Sequence, residues 1–118
     1  MTSFKAEITI PPSLNGMYIN VPGQGRAPSG KYKKWKKTAG WELRTARIPS
    51  DVICGRYRLT VQLPHGMAGD VDNRIKAVSD LLVSLSLTPD DRHAISVYAE
   101  KSTSVPPGRC IVQIESAP

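Results

Sequence analysis

Between Arg56 and Leu85 the apolar residues change their spacing once, and no other feature of the chain constrains its fold as much. From Arg56 to Leu63 they fall on every second position. Tyr57, Leu59, Val61 and Leu63 share one face and Arg56, Arg58, Thr60 and Gln62 the other, the pattern of a half-buried strand. From Val71 the period becomes helical, with Val71, Ile75, Val78, Leu82 and Leu85 on one side and Asp72, Lys76 and Asp80 on the opposite side. The same two periods recur elsewhere. Phe4, Ala6, Ile8 and Ile10 alternate as a strand that stops at Pro11-Pro12. Residues 31–47 predict a helix burying Tyr32, Trp35, Ala39, Leu43 and Ala46, with Gly40 weakening its middle. Residues 94–101 and 109–115 alternate again around Val105-Pro106-Pro107-Gly108, which predicts an antiparallel hairpin. The Pro, Gly and Ser residues of 21–30 predict an irregular loop without core residues.

The resulting order is β-α-β-α-β-β. It predicts a single α+β domain, a size that suits 118 residues, with a mixed sheet carrying helices on one face. No apolar run approaches the ~20 residues of a membrane span. The start, MTSFKAEITI, lacks the basic and apolar regions of a secretion signal, so a cytoplasmic location is expected. Cys54 and Cys110 sit in apolar, strand-like surroundings and read as buried thiols. They share no ligand spacing with His65 or His93, which argues against zinc.

Charge is unevenly distributed. Residues 1–59 hold eleven Lys/Arg against three Asp/Glu, whereas residues 60–118 hold five against seven. Such a split suits a first half that meets a polyanion and a second half that gathers acids for another purpose. The basic half concentrates in KYKKWKK, where Lys31, Lys33, Lys34, Lys36 and Lys37 surround Tyr32 and Trp35. Lysines so placed neutralise phosphates without regard to base sequence, while the two aromatics read as core.

The acids gather in GDVDNRIK, residues 69–76, and in Asp90-Asp91. The plain reading is a helix capped by Asp72, with an i,i+4 ion pair between Asp72 and Lys76. It leaves Asp70 and the second acidic pair unexplained. The chemical reading is a magnesium site, since that ion takes a few carboxylate oxygens and keeps several waters. Lys76 would offset charge building on a phosphodiester, and the helix N-terminus would favour phosphate. The pattern is not a calcium loop, because Arg74 stands at its third ligand position.

Three features resemble the RusA-type crossover junction endodeoxyribonuclease family, the small Holliday junction resolvases. The first is the N-terminal strand running into PPSLNGMY, with Pro11, Pro12, Ser13, Asn15 and Tyr18. The second is Asp70-x-Asp72-Asn73-x-x-Lys76, and the third is Asp90-Asp91 before a strand. The resemblance implies magnesium ligation by Asp70, Asp72 and Asp91 with Asp90 beside them, and an essential Lys76. It also implies a homodimer that nicks four-way DNA in recombination and repair. Asn15, Asn73, Arg74 and the five lysines of residues 31–37 are the expected DNA contacts. One departure is PHGMAG at 64–69, where the family often places basic residues.

Two alternatives remain open at this stage: a nuclease for other branched or single-stranded DNA, and a noncatalytic basic DNA-binding protein. The predicted helix also poses a geometric problem, because about fourteen residues at ~1.5 Å each put ~20 Å between Asp72 and Asp91. A two-fold dimer in which Asp91 of one subunit approaches Asp70 and Asp72 of the other would close that gap.

Overall fold

The computed structural model describes residues 3–48 and 53–118. Its order is β1 (Ser3–Thr9), β2 (Tyr18–Val21), β3 (Gly25–Pro28), α1 (Gly30–Thr45), β4 (Tyr57–Pro64), α2 (Ile75–Ser84), β5 (Ala94–Ser102) and β6 (Arg109–Ser116), with short 3₁₀ turns at Leu14–Gly16, Val71–Arg74 and Asp91–His93. Apart from the β2–β3 pair, this is the predicted order. The main sheet runs β1-β6-β4-β5, with β4 and β5 parallel and the other pairs antiparallel, so it is mixed as expected. Ile8, Leu59, Val61, Leu63, Val112 and Ile114 form the sheet side of the core. Tyr32, Trp35 and Leu43 of α1 and Val78, Leu81 and Leu82 of α2 join them in one buried cluster. No helix among the described residues is long and apolar enough to cross a membrane.

Local chemistry explains where α1 begins and how it sits. Ser29 is its N-cap, and its Oγ accepts from the Tyr32 N–H at 3.1 Å while donating to the Gly16 carbonyl at 2.6 Å. A cap of this kind is worth about 1 kcal/mol. Gly40 is tolerated in mid-helix because it faces α2, where a Cβ would stand 4.0 Å from Leu81 Cδ1.

Three expectations are corrected. Residues 94–101 and 109–115 form strands but not a hairpin, since β5 pairs only with β4 and β6 lies between β1 and β4. The central slot lets β6 use both hydrogen-bonding edges and bury Cys110, Val112 and Ile114, a larger gain than one edge pairing to β5 would bring. Residues 21–30 are not irregular throughout, because β2 and β3 form a two-stranded ribbon. Its Val21–Gln24 turn has Pro22 at the second position and Gly23 at the third with φ 79°, and the Gln24 N–H donates to the Val21 carbonyl at 3.0 Å, a type II arrangement. Ser29, expected outside the core, is buried. Finally, Cys110 is buried but Cys54 is exposed, because residues 53–56 form a loop rather than the strand that their apolar character suggests.

A clasp fixes α1 against the sheet. Glu42 accepts from the Thr9 N–H and from Arg109 Nη1, each at 2.7 Å, and Arg109 also reaches Glu7 at 3.1 Å. Burial alone would raise the Glu42 carboxyl, but the Thr9 amide and the Arg109 guanidinium hold it below the ordinary glutamate value. A carboxyl depressed by folding adds stability above its unfolded value, and the contribution is lost as pH falls through the folded value. Stability is therefore expected to decline on acidification below the usual glutamate range. Glu42→Gln should remove part of that decline and cost about 1–2 kcal/mol at neutral pH. Denaturant midpoints measured at pH 7 and at pH 3 check this, and an unchanged acid limb in the variant would exclude Glu42 as its source.

Candidate active site

β4 delivers the chain to the acidic motif. After Pro64 the loop closes on Gly69, whose φ of 91° is a left-handed conformation suited to glycine. Asp70 follows in extended conformation at the start of the 3₁₀ turn Val71–Arg74, and α2 begins only at Ile75. The helix predicted from Val71 thus opens as a 3₁₀ turn. The turn is closed by the backbone, with the Asn73 N–H donating to the Asp70 carbonyl at 3.3 Å. The Asp70 carboxylate makes no capping bond.

The plain reading of this motif fails on both counts. Asp72 does not cap the helix, and Lys76 pairs with Asp80 at 3.4 Å rather than with Asp72. Asp70 and Asp72 are exposed, and neither side chain has a hydrogen bond or ion pair among the described residues. Two hard, unpartnered carboxylates two residues apart fit a magnesium ion that keeps most of its waters. Lys76, the second residue of α2, is exposed and shares its side of the helix with half-buried Asp80.

Arg74 carries a structural duty that its sequence context does not reveal. Its Nη1 donates to the Pro11 carbonyl at 2.6 Å, which ties the acidic turn to the Pro11-Pro12 segment. Beside this tie opens a cleft of about 530 Å³, lined by Ser13, Lys31, Lys34, Trp35 and Arg74 among others. The expected contacts Lys31, Lys34 and Arg74 therefore converge at one place next to the Asp70–Asp72 turn. Asn15 is exposed in the adjoining 3₁₀ turn, and Asn73 is half-buried.

The remaining lysines, Lys33, Lys36 and Lys37, lie on α1 beside Leu81 and Leu85 of the α2 region. Tyr32 and Trp35 are buried, as their spacing predicts, and Trp35 Nε1 donates to the Thr9 carbonyl at 2.8 Å. The aromatic that sequence reasoning passed over is Trp41, 67% exposed between Lys37 and Arg44 on α1. Its signal was available, because it falls outside the inward spacing of Trp35, Ala39 and Leu43 and inside that of Lys37 and Arg44. An exposed indole among cations suits stacking on an unpaired base.

The second acidic pair lies elsewhere. β4 and β5 run parallel, with Tyr57 beside Ala94 and Pro64 beside Ser102. Asp91 begins the 3₁₀ turn leading into β5, so it stands at the Tyr57 end, whereas Asp70 follows β4 at the Pro64 end. At ~3.3 Å per residue the strand separates them by roughly 25 Å. Asp90 caps the turn by accepting from the Arg92 N–H at 3.0 Å. The Arg92 amide donating to it holds the Asp90 carboxyl below the usual carboxylate range. Among the described residues, no three His, Cys, Asp or Glu side chains come together in a way that could hold a metal ion. The chain thus unites Asp70, Asp72 and the nearby cations, and leaves Asp90 and Asp91 at the far end of the sheet.

The family model described as endodeoxyribonuclease RusA matches residues 9–115 of the chain. No curated protein matches it.

Proposed function

The chain belongs to the endodeoxyribonuclease RusA family, and from that premise we propose that it is a magnesium-dependent nuclease that resolves four-way DNA junctions in recombination and repair, working as a homodimer. The observation that carries the reading is the pair of exposed, unpartnered carboxylates, Asp70 and Asp72, standing beside a cationic cleft. A purely structural acidic turn would have used one of them as a cap or an ion-pair partner.

In this reading Asp70 and Asp72, completed across the homodimer by Asp91 of the partner subunit, would hold the ion, which would supply Lewis-acid activation of the scissile phosphate and of water. The rest is the work of the chain's own side chains. Lys31, Lys34 and Arg74 seat phosphates at the cleft, Lys33, Lys36 and Lys37 extend that grip along α1, and Trp41 offers a face to an unpaired base. Lys76 offsets charge as a water oxygen bonds to phosphorus and one ester P–O bond breaks, leaving a phosphomonoester and an alcohol.

The direct test incubates the purified protein with a synthetic four-way junction and with a matched duplex, each with magnesium or with chelator. Paired nicks in the junction, dependent on magnesium, are the expected result. Binding without cutting in every metal would overturn it. Salt titration of junction binding adds a second check, because each phosphate neutralised contributes ~0.9 to the slope of log affinity against log salt. Replacing Lys33, Lys34 and Lys37 together by alanine is expected to lower that slope by about 2–3. A triple variant with the original slope would place the DNA surface off α1.

A further inference from the structure

Trp41, on the outer face of α1, is the most exposed large apolar side chain among the described residues. At ~100° per residue it is turned about 200° from both Ala39 and Leu43, so the indole faces away from the core that those two enter. Beside it lies a hollow of about 380 Å³ between α1 and the end of α2, lined by Lys36, Lys37, Gly40, Trp41, Arg44 and Leu85. Gly40 adds no side chain, which leaves the indole and half-buried Leu85 as the apolar surfaces and the cations as the rim. Lys36 is held over the Tyr32 ring at 4.6 Å. Lys37 and Arg44 are exposed and form no ion pair among the described residues. Glu42, the acid of α1, is engaged by Thr9 and Arg109 instead. The hollow thus combines a bare aromatic face with uncompensated positive charge.

A strand with unpaired bases meets both features, since any base offers the indole a flat face and its phosphates suit the two free cations. A duplex meets only the second, because each of its bases is already stacked between neighbours. Lys37 precedes Trp41 by four residues and Arg44 follows it by three, spacings that set one cation on each side of the indole. Lys34, at the cleft beside the acidic turn, stands seven residues before Trp41 on nearly the same line of the helix. At ~1.5 Å per residue the two are ~10 Å apart, so one strand can run from the cleft to the indole. We infer that the hollow is a single-strand subsite, in which an unpaired base stacks on Trp41 while Lys37 and Arg44 seat its flanking phosphates, and that Trp41 thereby favours branched DNA over duplex. The bearing on junction choice rests on the nuclease reading above; the single-strand contact itself does not.

Fluorescence reads the contact directly, because the chain holds two tryptophans and Trp35 is buried. In chelator, oligo(dT) should quench the Trp41 emission of the wild-type chain and shield it from acrylamide. Absence of quenching overturns the subsite, whatever the variants do. Trp41→Ala should lower oligo(dT) affinity about tenfold and matched-duplex affinity by no more than about twofold. Trp41→Phe, which keeps an aromatic face, should recover most of the loss. Stacking neutralises no phosphate, so Trp41→Ala should keep the wild-type salt slope, whereas Arg44→Ala should flatten it by ~0.7. Unchanged oligo(dT) affinity in a folded Trp41→Ala overturns the subsite, and so does a loss that falls equally on duplex. Emission that answers to a short acidic peptide carrying leucines, and not to oligo(dT), overturns it in favour of a protein occupant. A wild type that cuts nothing in magnesium, yet loses oligo(dT) binding in Trp41→Ala, fails as a nuclease and keeps the subsite. A wild type that cuts, beside a Trp41→Ala with the same ratio of junction to duplex affinity, keeps the nuclease reading and loses the subsite's part in junction choice.

Discussion

Asp70→Asn and Asp72→Asn, made singly, are each expected to lower junction cleavage by on the order of 10²-fold or more while leaving junction affinity and folding nearly unchanged. The reason lies in what these side chains do not touch. Neither carboxylate takes part in a hydrogen bond or an ion pair among the described residues, and both are exposed. Substitution at such a site usually alters stability by no more than about 0.5 kcal/mol. The surfaces expected to grip DNA, the cleft around Lys31 and Lys34 and the lysine face of α1, are built from other residues. Removing one negative charge beside a polyanion should if anything favour binding. Cleavage under single-turnover conditions and equilibrium binding in chelator separate the two quantities. Parallel loss of both, or a drop in the unfolding midpoint, would recast the aspartates as structural.

The features legible in the sequence and those hidden in it divide along a physical line. Periodicity found every long element: Tyr57, Leu59, Val61 and Leu63 are all buried on one face of β4, and Tyr32, Trp35, Ala39 and Leu43 of α1 all point inward, whereas Ala46, expected with them, is exposed because α1 ends at Thr45 and Ala46 is its C-cap. Alternation reports that a segment is a strand with two unlike faces, and it carries no information about which strand lies next to it. That is why residues 94–101 and 109–115 read as a hairpin although β6 takes the central slot and β5 the edge. It is also why the exposure of Ile95 and Val97 was not legible, since their alternation matches that of a covered strand. The β2–β3 ribbon was hidden by composition, because the same Pro22 and Gly23 that suggest an irregular loop also make a tight turn. Cys54 misled in a similar way, as its apolar neighbours Val52 and Ile53 describe hydropathy rather than conformation. The acidic motif was legible as a motif, and its partners were not. An i,i+4 rule allows Asp72–Lys76 and Lys76–Asp80 equally, and the 3₁₀ start of the segment breaks the first while the regular helix permits the second.

That last choice makes Lys76 the sharpest test of the site. Its Nζ lies 3.4 Å from Asp80 Oδ2, with the two side chains 56% and 36% exposed. A surface pair of this kind contributes about 0.3–0.5 kcal/mol at most, and less with the base preceding the acid along the helix. A purely structural Lys76 could therefore be lost at almost no cost. If Lys76 instead offsets charge on the phosphate as its ester bond breaks, Lys76→Ala should lower the cleavage rate by on the order of 10²-fold with the unfolding midpoint in place. Lys76→Arg, which keeps the charge but not the compact ammonium, should recover part of that rate. Asp80→Asn supplies the control, because it releases Lys76 from its observed partner without touching the carboxylates at Asp70 and Asp72. Activity at or above the wild-type level in Asp80→Asn, beside near-inactivity in Lys76→Ala, would show that the lysine acts on the substrate and that its bond to Asp80 is a resting position. Equal losses in both variants would mean instead that the pair orients α2, and Lys76 would leave the list of groups that meet the phosphate.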